Sequence, residues 1–239
     1  MAICHTRGNI MKIKNIIFDL GGVILEIDFQ KTIGAFKSLG ATKANTLFQD
    51  NKQIIEKFGL GKIETSLFRA EIQNYLDIMV SDQEFDSAWN VMLIGIPKPR
   101  LELIKMLKND YRCFLFSNTN SIHHIAILSM LHREHQIESF ASYFENQYYS
   151  YEMELRKPDR ASYQKILDKN GLQADETLFI DDTLAYIEGA KLIGMHVLHL
   201  QSELVQINLP GYINEIEIKS INKSEMRVSV LPFTPPNIK

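Results

Sequence analysis

Short apolar runs that stop abruptly on a polar or acidic residue punctuate this chain. Ile16, Ile17 and Phe18 run into Asp19, Cys113 to Phe116 run into Ser117, and Leu178 to Ile180 run into Asp181. Runs of this length without alternation predict strands buried on both faces, as in a parallel sheet. Between them the apolar spacing turns helical, with Leu101, Ile104 and Leu107, then His123 to Leu131, Tyr163 to Leu167 and Ile187 to Ile193. His196 to Leu200 predicts a final strand. Strands alternating with helices imply βαβ units, and hence an α/β fold whose parallel sheet carries helices on both faces.

One stretch breaks the alternation. From about Phe29 to Ile96 the pattern is helical throughout, as in Leu67, Phe68, Ile72, Tyr75, Leu76 and Met79, and no strand is predicted. Ser81 followed by Glu84 reads as a capping box opening a helix with Phe85, Ala88, Trp89, Met92 and Leu93 on one face. Gly59 and Gly61 separate two helical segments, and Pro97 and Pro99 end the stretch. The expected organisation is a core built from residues 12–28 and 98–210, a helical insertion over 29–97, and a C-terminal extension over 211–239. In that extension Ile213, Ile216, Ile218, Val228 and Val230 predict one or two strands, and the three prolines from Pro232 predict an extended end.

Composition narrows the function classes. Of 239 residues, 45% are hydrophobic and 23% charged, which excludes a disordered chain. The net charge of −3 argues against nucleic acid as a partner, because neutralising phosphates needs clustered Lys and Arg. No apolar run approaches the length of a membrane span, and the first residues show no signal-peptide core. The only cysteines, Cys4 and Cys113, form no disulfide framework, so the expected location is the cytoplasm. His132 and His135 lack a third ligand nearby in sequence and read as a helix surface rather than a zinc site.

The chemistry concentrates where the buried strands end. Asp19, Ser117, Asp181 and Asp182 all fall at or just beyond the carboxyl end of a predicted strand, where open parallel sheets bind ligands. Several carboxylates meeting there predict a Mg²⁺ site, since that ion takes oxygen ligands and bridges to phosphate. Lys157, before Pro158 at the start of a helix, supplies a positive charge suited to a carboxylate nucleophile and an incoming phosphate.

Four segments in order, FDLGGV (18–23), LFSNT (115–119), RKP (156–158) and FIDD (179–182) followed by IEGA (187–190), resemble the motifs of the haloacid dehalogenase (HAD) superfamily. The resemblance covers about residues 12–201 and implies a Rossmann-like core with a helical cap at 29–97. Within the superfamily the chain looks most like the capped phosphatases of the bacterial α-D-glucose-1-phosphate phosphatase type. By that resemblance Asp19 is the nucleophile of an aspartyl-phosphate mechanism. Mg²⁺ sits on Asp19, the Gly21 carbonyl and Asp182, while Asp181 either orders the metal's waters or binds the ion directly. Ser117, Asn118 and Lys157 bind the phosphoryl oxygens of a small phosphate ester.

The chain departs from the pattern at Gly21, where most family phosphatases carry the Asp that protonates the leaving oxygen. Sugar 1-phosphates and acyl phosphates would tolerate that loss best, and Glu26 and Asp28 are nearby substitutes to consider. Tyr186 replaces a polar amide common in related phosphatases. Two other readings stay open: a haloacid dehalogenase-type hydrolase, and a binding or regulatory protein on a catalytically weakened HAD scaffold. The sequence leaves the oligomeric state unspecified.

Overall fold

The computed structural model describes residues 12–228, with side chains through Lys219. Five strands, β1 (Asn15–Phe18), β4 (Arg112–Ser117), β5 (Asn146–Tyr149), β6 (Thr177–Asp181) and β7 (His196–His199), form one parallel sheet in the order β5-β4-β1-β6-β7. Around it pack α6 (Lys98–Leu107), α7 (Ser121–His135), α8 (Ser150–Met153), α9 (Arg160–Asn170) and α10 (Leu184–Lys191).

The uninterrupted apolar runs have the meaning expected of them. Alternate residues of β1, β4 and β6 enter different clusters: Ile16, Phe18, Leu115 and Ile180 join Ile127 and Leu131 of α7, whereas Ile17, Phe114, Phe116 and Phe179 join Ile166 of α9 and Ile187 of α10. Each strand therefore needs apolar side chains at every position. The register then brings the functional ends level, because Phe18 pairs with both Leu115 and Ile180, and the Asp19 N–H donates to the Ile180 carbonyl at 2.9 Å.

Between β1 and β4 lie α1 (Phe29–Ser38), α2 (Leu47–Asp50), α3 (Lys52–Gly59), α4 (Thr65–Leu76) and α5 (Asp82–Asn90). They enclose a separate apolar cluster in which Phe58 stacks on Phe68 at 4.0 Å and Phe68 meets Trp89 edge-on at 5.1 Å. The capping box at Ser81 and Glu84 is formed.

Two sequence expectations need correction, and one element goes beyond them. The insertion is not wholly helical, because β3 (Leu93–Gly95) pairs antiparallel with β2 (Glu26–Ile27) in a ribbon where the chain leaves and re-enters the core. Strands of two and three residues are too short to register as a period. The edge strand β5 was not expected, since its Asn-Gln-Tyr-Tyr sequence lacks the apolar run of the central strands. The extension forms α11 (Leu209–Val228) instead of strands. Leu209, Ile213 and Ile216 recur at helical spacing, the first two buried in the main core and the third packed against it. Cys4, Val230 and the prolines from Pro232 lie outside the described residues.

Candidate functional site

Lys157 is the centre of the site. It is fully buried, and its ammonium group lies 2.6 Å from Asp19 Oδ1 and 2.8 Å from Asp181 Oδ2 while donating to the Phe116 carbonyl at 3.1 Å. Rings of Phe116, Phe179 and Tyr186 surround it with centroids at 5.3, 5.5 and 5.1 Å, an arrangement favourable to a cation in an apolar setting. Burial acts to lower the lysine's pKa, but Asp19 and Asp181 overcome it and hold the group above its ordinary value. Burial pushes Asp19 the other way, up to about 7, against the pull of Lys157 and with the charge of Asp181 adding to the rise.

Asn118 fixes this lysine from the neighbouring strand end. Its Oδ1 accepts from the Lys157 N–H and its Nδ2 donates to the Lys157 carbonyl, both at 3.0 Å. The carboxamide expected to hold phosphoryl oxygens is therefore already engaged with backbone, and its geometry is that of a bracket for Lys157. Ser117 is buried and lines the cavity beside it. Asp181 is also committed, with Oδ2 on Lys157 and Oδ1 accepting from the Thr183 N–H at 2.8 Å.

Asp182 differs from its neighbour. Burial first, and then the charge of Asp181, raise its pKa. One oxygen from each of Asp19, Asp181 and Asp182 lies within 4.8 Å of the others. Three carboxyl groups share one ammonium, a set of oxygen donors that suits a hard divalent cation. The backbone leaves room for Asp182 only because residue 22 is glycine. Gly22 has φ +75°, and a Cβ there would stand 2.0 Å from Asp182 Oδ2.

Above these groups opens a cavity of about 380 Å³. Its floor is Asp19, Ser117, Lys157 and Asp182, and its upper walls include Ile27, Phe29, Phe48, Ile55, Trp89 and Met92. Sequence reasoning assigned Trp89 to the packing of the insertion; it does pack there, and it also faces the cavity wall. The Trp89 indole N–H is buried without a hydrogen-bond partner.

His123, in the first turn of α7, also lines the cavity. It stacks on Trp89 at 5.4 Å, its Nε2 faces the Trp89 carbonyl at 3.3 Å, and its Nδ1 faces Asn120 Nδ2 at 3.2 Å. Because the Asn120 amide nitrogen can only donate, Nδ1 accepts and the ring proton sits on Nε2. Burial lowers the His123 pKa to about 4. Asn120 Oδ1 accepts from the His123 N–H and opens α7.

Other polar and aromatic residues lie outside this lining. Asp28 caps α1 by accepting from the Gln30 N–H, and Glu26 faces the buried Arg100 at 3.4 Å; neither lines the cavity. His132 pairs with Glu138 at 2.9 Å and His135 Nε2 meets the Ile96 carbonyl at 2.7 Å, so the two imidazoles have separate partners. Tyr149 and Tyr151 pack around His124, whose Nδ1 is 2.6 Å from the Tyr151 hydroxyl. Cys113 is buried in β4, where desolvation pushes its thiol up to about 12 and leaves it unreactive.

A carboxylate held by a buried ammonium at the end of a parallel sheet, with more carboxylates beside it and helices above, suits attack on an electrophile by Asp19. Residues 13–194 match the family model of the haloacid dehalogenase-like hydrolases, and the chain belongs to that family. D-ribitol-5-phosphate phosphatase from Bacteroides thetaiotaomicron is 29% identical over 187 residues, which span 76% of this chain and 89% of that protein. A HAD family enzyme from the same organism, solved in complex with magnesium and inorganic phosphate, is 33% identical with a TM-score of 0.73, over 78% of this chain and 93% of its own. A HAD-like hydrolase from Porphyromonas gingivalis is 27% identical with a TM-score of 0.73, over 85% and 97%.

Proposed function

We propose that this hydrolase is a Mg²⁺-dependent phosphatase that cleaves small phosphomonoesters through an aspartyl-phosphate on Asp19. Residues 12–28 and 98–210 act as the catalytic core, and residues 29–97 as the cap that covers the substrate. The observation that carries the reading is the 2.6 Å contact between Asp19 and a fully buried Lys157 on the cavity floor. The magnesium and phosphate complex of the similar Bacteroides enzyme supports the same class of chemistry.

The Asp19 carboxylate attacks phosphorus, forming an acyl phosphate as the bond to the leaving oxygen breaks; water then cleaves the new bond and returns the carboxylate. Lys157 keeps Asp19 aimed and offers the transferred group positive charge in a dry setting, where such stabilisation is strongest. Ser117 contributes a hydroxyl donor to the phosphoryl oxygens. Asn118 acts by holding the Lys157 backbone. Asp19, the Gly21 carbonyl and Asp182 would hold Mg²⁺, with Asp181 ordering that end of the site from its bond to Lys157. The ion's chemistry there is to screen the charge between carboxylate and phosphate and to stabilise the transferring group. The cap closes to exclude water, as lids over such sites do.

Hydrolysis of p-nitrophenyl phosphate with Mg²⁺ tests this reading. Turnover that EDTA abolishes and that Asp19→Asn eliminates is the expected result. Phosphate binding without turnover in the unaltered protein would favour the binding or regulatory alternative, which the Gly21 position keeps in view. Metal-independent release of halide from a 2-haloacid would favour the dehalogenase.

A further inference from the structure

We infer that this enzyme takes phosphate from a mainly apolar leaving group that departs as a stable anion on its own, such as a phenolic, enolic or acyl phosphate, and not from a polyol. The inference rests on the phosphatase reading and narrows its substrate class.

Two independent observations support it. The first is the scarcity of proton sources, since among the ionising groups of the cavity only the Tyr186 phenol is left uncommitted. The cavity residues that ionise are Asp19, His123, Arg156, Lys157, Asp182 and Tyr186. Asp19 is the attacking group, Asp182 faces the metal position, and Lys157 has its ammonium engaged on three acceptors. Arg156 pairs with Glu56 at 3.2 Å, and a guanidinium does not act as an acid near neutral pH. His123 is neutral, its one ring proton directed at the Trp89 carbonyl and its other nitrogen accepting from Asn120. At position 21, a Cβ would stand 2.4 Å from Ile27 Cδ1, so a methyl group fills that space. Apart from Asp19 and Asp182, no carboxyl lines the cavity among the described residues.

The second observation is the upper wall. Ile27, Phe29, Phe48, Ile55, Trp89 and Met92 line the cavity, and of its polar residues Asn118, Asn120, Ser150 and Arg156 already hold partners within the chain. A polyol placed there would lose its hydration without gaining enough partners, and each unpaired buried hydroxyl costs roughly 1–3 kcal/mol. A flat apolar body gains from burial in the same space.

The step balances without an acid. The Asp19 oxygen forms a bond to phosphorus as the ester bond breaks, and the leaving oxygen takes the electron pair and departs as phenolate, enolate or carboxylate. Water attacking the aspartyl-phosphate returns Asp19 and gives its proton to the product phosphate or to solvent.

The test uses the full chain with Mg²⁺ and compares kcat/KM for substituted phenyl phosphates, benzoyl phosphate, acetyl phosphate, α-D-glucose 1-phosphate and D-ribitol 5-phosphate. The expected results are a steep rise with leaving-group acidity, phenyl phosphate ahead of ribitol 5-phosphate by about 100-fold or more, and benzoyl ahead of acetyl phosphate. Trp89→Leu should lower the ratio of kcat/KM for benzoyl phosphate to that for acetyl phosphate. The Tyr186→Phe variant should keep the same slope, and a steeper one would identify that phenol as an acid and overturn the inference. A flat dependence, or ribitol 5-phosphate or glucose 1-phosphate matching phenyl phosphate, would also overturn it while leaving the phosphatase reading intact. Failure of every substrate, or activity surviving Asp19→Asn, would refute that reading and this inference with it.

Discussion

Asn118 grips Lys157 by both backbone polar groups at once, across 39 residues of sequence, at 3.0 Å on each side. A side chain that satisfies an N–H and a C=O of one residue fixes both position and rotation of that peptide, and so the starting point of the lysine side chain. Asn118→Ala should cost about 1–3 kcal/mol of stability and loosen the ammonium from Asp19. Asn118→Asp keeps the acceptor but sets a second oxygen against the Lys157 carbonyl, so it should fare no better. Inhibition constants for inorganic phosphate, measured beside kcat, check that the loss runs through the lysine.

Lys157→Met should be more damaging, because it leaves Asp19 and Asp181 buried against each other without their cation. Removing one partner of a buried pair costs roughly 3–5 kcal/mol. Urea denaturation in EDTA should show that loss. Added Mg²⁺ should restore more stability to the variant than to the parent, since a cation then offsets the exposed repulsion. Equal gains would show that the carboxylates do not share the ion.

Gly22→Ala meets two obstacles, a φ of +75° and a Cβ 2.0 Å from Asp182 Oδ2. Displacing Asp182 should raise the Mg²⁺ concentration needed for half-maximal activity by about 10-fold or more, as loss of a supporting contact does at other metal sites. Activity titrated against Mg²⁺ measures it directly.

The buried imidazole makes stability depend on pH. Folding holds His123 at about 4, below the 6.5 of an ordinary histidine. Between those values the unfolded chain takes up a proton that the folded chain refuses. Its contribution is complete above pH 6.5 and drains away as pH falls toward 4, at ~1.4 kcal/mol per unit. The stability difference between the parent and His123→Gln should therefore shrink by about 3 kcal/mol across that window. A constant difference would show that the imidazole is not held neutral.

Gly21→Asp alone places a carboxyl where Ile27 Cδ1 already sits, whereas Gly21→Asp combined with Ile27→Ala provides the space. The double variant should raise kcat/KM on alkyl phosphates by about 10-fold or more, because a positioned acid is worth ~10²–10⁴-fold. Rates on p-nitrophenyl phosphate should change far less, since that leaving group needs no proton.

Asp19, Asp181 and Asp182 were legible because an apolar run ending in a carboxylate leaves a sharp mark in sequence, and parallel pairing aligns such ends automatically. Lys157 was legible from its motif, though not its contacts: the ring of Phe116, Phe179 and Tyr186 is assembled from three different elements. Asn118 shows the limit of motif reading, since only coordinates reveal whether an amide spends its hydrogen bonds on substrate or on backbone. The role of Ile27 left no local trace either, because it depends on how the β2–β3 ribbon lies over Gly21. In the extension, isoleucine-rich composition outweighed a spacing of four and then three residues from Leu209 to Ile216, and helix won because Leu209 and Ile213 could reach the main core.

The Tyr212 hydroxyl, on α11, donates to the Val197 carbonyl of β7 at 2.7 Å. One of the two edge strands thus has a backbone carbonyl occupied from within the same chain. A neighbouring molecule adding a strand on that side would have to displace this contact first.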